Sequence, residues 1–254
     1  MPQPIVLYDL MRQVPGGHSD AEQSWSPNTM KTRYALNIKG LQFKTEWIGF
    51  GAVGRKMKEL GLPPHPDSYP GPKYTVPTIY DPNTDKYVTE SFAIARYLDE
   101  TYPDTARLVA PGTAGFQVAY VEKIAVPLMY LTIPALGWPV FEQCGVSEED
   151  KEHLRKLREA AFGRKVDDAE YKDLHAMMKV PDMNGPLDIL ARHVAANGAN
   201  ALFLAGDSPC HADTAIASVL VSALRILGME GELCEAILQH SWAGKYVEAM
   251  SKWE

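Results

Sequence analysis

The sequence predicts two units of different class: an α/β domain of mixed strands and helices, followed by an all-α bundle. Three observations carry this. Short runs of β-favouring residues alternate with helical patterns over roughly the first hundred positions. Strand signals largely vanish after Phe116, and a connection bearing proline and glycine lies between, around residues 104–115. The expected domains are 1–105 and 113–254, in a chain of 254 residues that can bury a substantial core.

Residues 5–10 are β-formers and read as a buried strand. Residues 11–23 hold Pro15, Gly16 and Gly17 among polar side chains and read as a long loop of the kind that covers a site. From Pro27 the period changes: Met30, Tyr34, Ala35 and Ile38 recur at helical spacing, Pro27 suits a first turn and Gly40 stops the run. Residues 41–48 alternate again, so the opening is β-α-β, a parallel pair with a right-handed crossover. Residues 52–60 give a short helix before a proline-rich stretch, 63–72. Residues 74–80 and 86–89 flank Asp81-Pro82-Asn83-Thr84-Asp85, a turn-rich connection, and pair as a hairpin. Ile94, Ala95, Tyr97 and Leu98 mark an amphipathic helix that starts at Ser91 and ends before Pro103. The order β-α-β-α-β-β-α is that of a thioredoxin-like domain. Beyond it, 116–136, 148–162, 185–197, 213–227 and 230–253 read as helices, the first kinked or split by Pro127 and Pro134.

Composition narrows the function classes. A net charge of −7 opposes sequence-independent nucleic-acid binding, which needs clustered Lys and Arg. Cys144, Cys210 and Cys234 form no C-x-x-C, as expected of a chain kept in a reducing compartment. His18, His65 and His175 share no spacing with carboxylates or thiols, so no metal site is expected. The start, Met1-Pro2-Gln3-Pro4, lacks a signal peptide's basic and apolar regions, and no stretch reads as the roughly eighteen apolar residues of a spanning helix. The expectation is a cytoplasmic protein with no membrane and no nucleic-acid partner. Gly49-Phe50-Gly51-Ala52-Val53-Gly54 fits G-x-G-x-x-G, but prolines soon follow and the later strands form a hairpin. It therefore reads as a mobile edge to a pocket and not as a dinucleotide site.

Three short segments carry chemistry. Ser26 precedes Pro27 at a helix start, where a hydroxyl either caps the helix or donates to a thiolate held by the same N-terminus. Asn28 and Thr29, one helical step away, are its alternatives or supports. Tyr8, at the end of the first strand, is a rival activator, and the absence of cysteine from 25–30 excludes a protein thiol. Tyr74 and Val76-Pro77 precede a strand, where a cis proline would leave the preceding backbone open to a peptide ligand. Glu90-Ser91 begins a helix right after a strand, offering amides and a hydroxyl to a carboxylate, and an acid to an ammonium. Trp25, Phe116, Tyr120, Met129 and Trp138 are the candidates for an apolar pocket facing the cleft.

These segments resemble the glutathione transferase family along the whole chain. Ile5-Val6-Leu7-Tyr8-Asp9-Leu10, Ser26-Pro27, Lys31-Thr32-Arg33-Tyr34-Ala35-Leu36 and Lys39-Gly40 are similar to the bacterial lignin β-etherase type and to the fungus-specific transferases related to it. Val76-Pro77 and Glu90-Ser91 match the family's glutathione motif. The resemblance implies glutathione as co-substrate and, usually, a homodimer. Ser26, with Asn28 or Thr29, would stabilise the thiolate; Val76 would pair with the peptide backbone; Glu90 and Ser91 would hold the γ-glutamyl end. The thiolate would attack or reduce a hydrophobic aromatic electrophile, by conjugation, ether cleavage or peroxide reduction. The alternative is a glutathione-dependent carrier of aromatic molecules with little turnover. Gly206-Asp207 and Cys210-His211-Ala212-Asp213 resemble the family's structural capping box, with Cys210 where a Ser or Thr is usual.

Overall fold

The computed structural model describes residues 2–14, 19–69 and 71–254. Part of the expected covering loop, 15–18 with His18, and Pro70 of the proline-rich stretch lie outside the described residues.

The strands are β1 (Ile5–Leu10), β2 (Phe43–Ile48), β3 (Thr78–Asp81) and β4 (Lys86–Thr89), in the sheet order β2-β1-β3-β4. β1 and β2 are parallel, Tyr8 opposite Glu46; β3 is antiparallel to β1, Tyr8 opposite Thr78. The helices of this half are α1 (Asp20–Gln23), α2 (Pro27–Ile38), α3 (Val53–Glu59) and α4 (Ser91–Thr101). Strand alternation sends Ile5 and Leu7 to one face, against Ala35 and Leu36 of α2 and Ile94 and Leu98 of α4. It sends Tyr8 to the other, against Ile48 and against Met57 of α3. The loop expected over 11–23 contains α1, a single turn. Its cap, Ser19, and Glu22 form a capping box, a signal too short to show as periodicity.

Two buried ion pairs lock the layers. Asp9, fully buried, meets the Arg33 guanidinium at 3.1 Å, while Arg33 also donates to Thr45 at 2.9 Å. Lys39 meets Asp99 at 2.8 Å, and Asp99 accepts the Leu108 and Val109 N–H groups, fastening the connection between the domains.

The second domain holds α5 (Ala114–Tyr120), α6 (Val126–Cys144), α7 (Glu148–Phe162), α8 (Asp168–Ala176), α9 (Asn184–Ala195), α10 (His211–Ile226), α11 (Glu232–Gln239) and α12 (Ala243–Met250). α10 is its axis, buried at every residue but Arg225, and α2 packs along it, so α2 is held between its own sheet and the helical domain. Two sequence expectations change here. α8 was not foreseen, and the helix expected over 230–253 divides at His240, whose ring caps α12 through the Trp242 and Ala243 N–H groups.

The split expected at Pro127 and Pro134 does not occur. α5 and α6 join through a π-helical segment, Val121–Ala125, into one helix, Ala114–Cys144. The widened turn falls where the Pro127 ring would meet the carbonyl four residues back, which relieves that clash without ending the helix. By length and composition alone, this helix is long and apolar enough to cross a membrane, contrary to the sequence expectation. Prolines and Gly137 hid its continuity: residues 124–141 carry no charge.

Candidate functional site

Ser26 caps α2. Its backbone is extended, Pro27 follows as the first helical residue, and its Oγ accepts the Asn28 N–H at 3.3 Å. A hydroxyl has one proton and two lone pairs. The Ser26 proton has no acceptor among the described residues, so it is free to donate. Thr29 is fully buried; its hydroxyl reaches the Ser26 carbonyl at 3.3 Å and also bonds Asp9. It braces the turn from beneath. Asn28 faces outward, its Oδ1 accepting from the Lys31 ammonium at 3.1 Å. Tyr8 stands on the opposite face of the sheet, beside Tyr87 and under the Lys56 ammonium, and burial pushes its phenol up from its ordinary value.

The segment leading into Ser26 is clamped by two arginines. Arg12 donates to the Glu22 carbonyl at 2.6 Å and to Gln143 of α6 at 3.0 Å; Arg225 of α10 donates to the Ser24 carbonyl at 2.9 Å. The helix start is thereby fixed to both domains.

The Val76-Pro77 peptide bond is cis and leads into β3. The Val76 N–H and C=O have no hydrogen-bond partner among the described residues. Tyr74 packs instead at the fringe of the Tyr8 cluster, beneath the Lys58 ammonium. Glu90 sits at φ +82° and caps α4: its carboxylate accepts from the Phe92 and Ala93 amides at 3.1 and 3.0 Å, and from the Ser91 hydroxyl at 3.2 Å. The amides expected to receive a ligand carboxylate are in part taken by Glu90 itself.

Across the cleft, Leu10, Trp25, Cys144 and Ile226 form a buried cluster, with Phe50, Val53, Val76, Leu136 and Val140 packed against it. Trp25 and Val76 therefore meet α6. The other expected pocket residues do not join them. Phe116 is 80% exposed. Tyr120 and Met129 pack on the helical core, with the Tyr120 hydroxyl on His193 at 3.0 Å. Trp138 turns toward α8, its ring 5.4 Å from Phe141 and 6.0 Å from Tyr171. Sequence reading missed Phe50, Val53, Leu136 and Val140. The only available signal was the i, i+4 spacing of Leu136 and Val140 on one helical face.

The glycine motif is also corrected: it is a docked joint and not a mobile edge. A Cβ on Gly49 would lie 2.6 Å from Asp150 Oδ1, and one on Gly51 would lie 2.5 Å from the Glu149 carbonyl oxygen. Only glycine lets this turn approach the N-terminus of α7. There Asp150, in a capping box with Ser147, also accepts the Gly51 N–H at 2.8 Å. All three cysteines are free thiols. Among the described residues, no group of three or more His, Cys, Asp or Glu is placed to hold a metal ion.

With this architecture in view, residues 25–101 match the glutathione S-transferase N-terminal domain and residues 113–253 its C-terminal domain. The chain belongs to the glutathione S-transferase family. Among solved structures it is similar to the glutathione transferase GSTFuA3 of Phanerochaete chrysosporium, with 31% identity, a TM-score of 0.82, and 100% of this chain and 98% of that one covered. It is similar as well to the transferase CsGST63524 of Ceriporiopsis subvermispora, solved in complex with glutathione, with 29% identity, a TM-score of 0.81, and coverage of 99% and 98%. The glutathione S-transferase-like protein ustS of Aspergillus flavus is 27% identical over 227 residues, 85% of this chain and 79% of that protein.

Proposed function

We propose that the protein is a serine-type glutathione transferase of the fungus-specific, β-etherase-like branch, acting on hydrophobic aromatic electrophiles. The observation that carries this is the Ser26 hydroxyl: it accepts from the Asn28 N–H and keeps its proton unspent at the positive end of α2. A sulfur beside it would accept that hydrogen bond far more strongly as the thiolate than as the thiol, which favours thiolate at neutral pH. Val76 offers an unpaired peptide edge, and Ser91 with Glu90 faces the γ-glutamyl end. Phe50, Val53, Leu136 and Val140 supply an apolar wall for the electrophile. The thiolate forms a C–S bond to the electrophilic carbon, whose leaving group departs with the bonding pair. Ether cleavage and peroxide reduction use the same nucleophile.

In this reading the glutathione-binding unit is 1–105 and the helical unit 113–254, in a cytoplasmic homodimer. An exposed stripe on Ala114–Cys144, with Phe116 80%, Tyr130 60% and Ile133 48% exposed, is an apolar face suited to a second copy. The carrier reading is favoured by one observation, that Ser26 is only 3% exposed.

The deciding measurement compares wild type and Ser26→Ala on an aryl halide panel. The expected loss in turnover is about 10- to 100-fold, the worth of one hydrogen bond to a charge, with glutathione affinity nearly unchanged. Full activity in the variant would remove Ser26 from the thiolate's environment. Tight aromatic binding with no wild-type turnover would make the protein a carrier.

A further inference from the structure

The turn that carries Ser26 is held from a distance by one carboxylate. Past α12 the chain makes a single turn, Ser251–Trp253, which lays Glu254 against α2 and the end of α10. One Glu254 oxygen accepts from the hydroxyl of Tyr34, a fully buried residue of α2, at 3.0 Å. The other pairs with the Arg225 guanidinium, which donates in turn to the Ser24 carbonyl at 2.9 Å and to the Ser24 hydroxyl. Asn37, a turn beyond Tyr34, donates to the Trp253 carbonyl at 2.9 Å and keeps Glu254 in place. Ser26 therefore lies between two points tied to the same carboxylate. Ser24 stands just before it, and Tyr34 about two turns into its helix.

The charges show why a carboxylate serves here. Arg12 donates to the Arg225 carbonyl at 3.0 Å, so two guanidinium groups grip the same stretch of chain, 22–24. Arg12 is buried, and its Nε has no partner. Among the described residues no carboxylate other than Glu254 pairs with Arg225. Without it, one prong of the Arg225 fork loses its acceptor and the other is free to swing from Ser24. The angle at which the chain enters α2 then loosens, and with it the direction of the Ser26 hydroxyl. We infer that Glu254 is a positioning residue for that hydroxyl, acting through Arg225 and Tyr34. The inference rests on the serine-type reading of the site and adds a residue to it.

The test is a double-mutant cycle of Ser26→Ala and Glu254→Ala, read by turnover of an aryl halide at saturating glutathione and by the pH dependence of the bound thiolate's absorbance. Glu254→Ala should lower kcat about 3- to 10-fold and raise the bound thiol's apparent pKa by about 0.5–1, with the KM for glutathione nearly unchanged. Glu254→Gln, which keeps the shape and loses the charge, should do the same. In the Ser26→Ala background the substitution should change kcat by less than about twofold, because no hydroxyl remains to be aimed. Equal losses in both backgrounds, or a lowered Tm with an unmoved thiol pKa, would overturn the inference and leave the serine-type reading standing. Full activity of Ser26→Ala alone would refute that reading, and the positioning role with it.

Discussion

The two walls of the cleft are built by opposite means. The α2–α4 wall is polar and local: helix caps at Ser26 and Glu90 are each completed within three residues of chain, and the Ser26 turn is braced through Thr29 on the buried Asp9–Arg33 pair. The wall across from it is apolar and assembled: Phe50 and Val53 from one domain meet Leu136 and Val140 from the other, held by the Gly51–Asp150 joint. The first wall has its charges and dipoles in place before a ligand arrives. The second depends on distant segments meeting, so its shape can vary without disturbing the first.

The largest expected effect tests whether the polar wall rests on its buried pair. Asp9→Ala would leave Arg33 uncompensated at 4% exposure, with its Nε already unpartnered, and should cost about 3–5 kcal/mol in urea unfolding. Asp9→Leu combined with Arg33→Met should recover most of it. A single-variant loss below about 1 kcal/mol would mean that the pair does not support this wall.

The joint in the apolar wall comes next. Gly51→Ala would drive a methyl against the Glu149 carbonyl and should cost about 1–3 kcal/mol of stability. The split in kinetics is the sharper readout: KM for the electrophile should rise while glutathione affinity holds. A loss of glutathione affinity as large as the KM change would show that the walls are not independent.

This contrast also explains what could be read in advance. Ser26-Pro27 announces a helix start by residue type alone, because its cap is completed a few residues away; at Glu90-Ser91 the serine marked the start, while the cap itself is the less usual Glu90. The order of strands and helices along the chain followed from periods of 2 and 3.6 for the same reason, whereas the pairing of β3 with β1 did not. Phe50 gave no such signal: its place depends on Asp150, a hundred positions later, accepting from Gly51. Trp138 and Phe116 misled because an aromatic on a helix does not reveal which face meets the cleft. Trp138 is drawn to Tyr171 of α8, a helix with little periodicity of its own. The Ala114–Cys144 helix was misjudged because the π segment that accommodates Pro127 has no sequence signature.

A pH effect separates the seam between the domains from both walls. Burial among Phe92 and the α10 turn holds the His211 imidazole down to about 3, with the nearby Lys31 ammonium adding to the shift and Asp99 opposing it. The folded form binds this proton less readily than the unfolded chain, whose histidine titrates near about 6.5. The stabilisation is therefore full above about pH 6.5 and is lost as pH falls toward 3, at up to about 1.4 kcal/mol per unit, or about 1 kcal/mol by pH 5.5. Denaturant melts of His211→Phe should be flatter than wild type across that window. Parallel slopes would mean another group governs acid sensitivity.

The smallest effect concerns the scaffold that both walls share. α10 begins at Cys210, with Asp213 accepting the Cys210 N–H at 2.9 Å and the Leu204 N–H at 3.0 Å. That half of the cap is complete. The other half places a sulfur where a hydroxyl would accept from the third helical amide, and sulfur is the weaker acceptor. Cys210→Ser should therefore gain about 0.5 kcal/mol, raising Tm by roughly 1–2 °C. The thiol itself is buried and pushed up to about 12, so no reactive thiolate is lost with it. Because α10 backs α2 and α6 alike, glutathione affinity and electrophile KM should both stay at wild-type values. A fall in Tm would show that the small hydroxyl leaves a void the sulfur had filled, and that packing outweighs capping at this helix start.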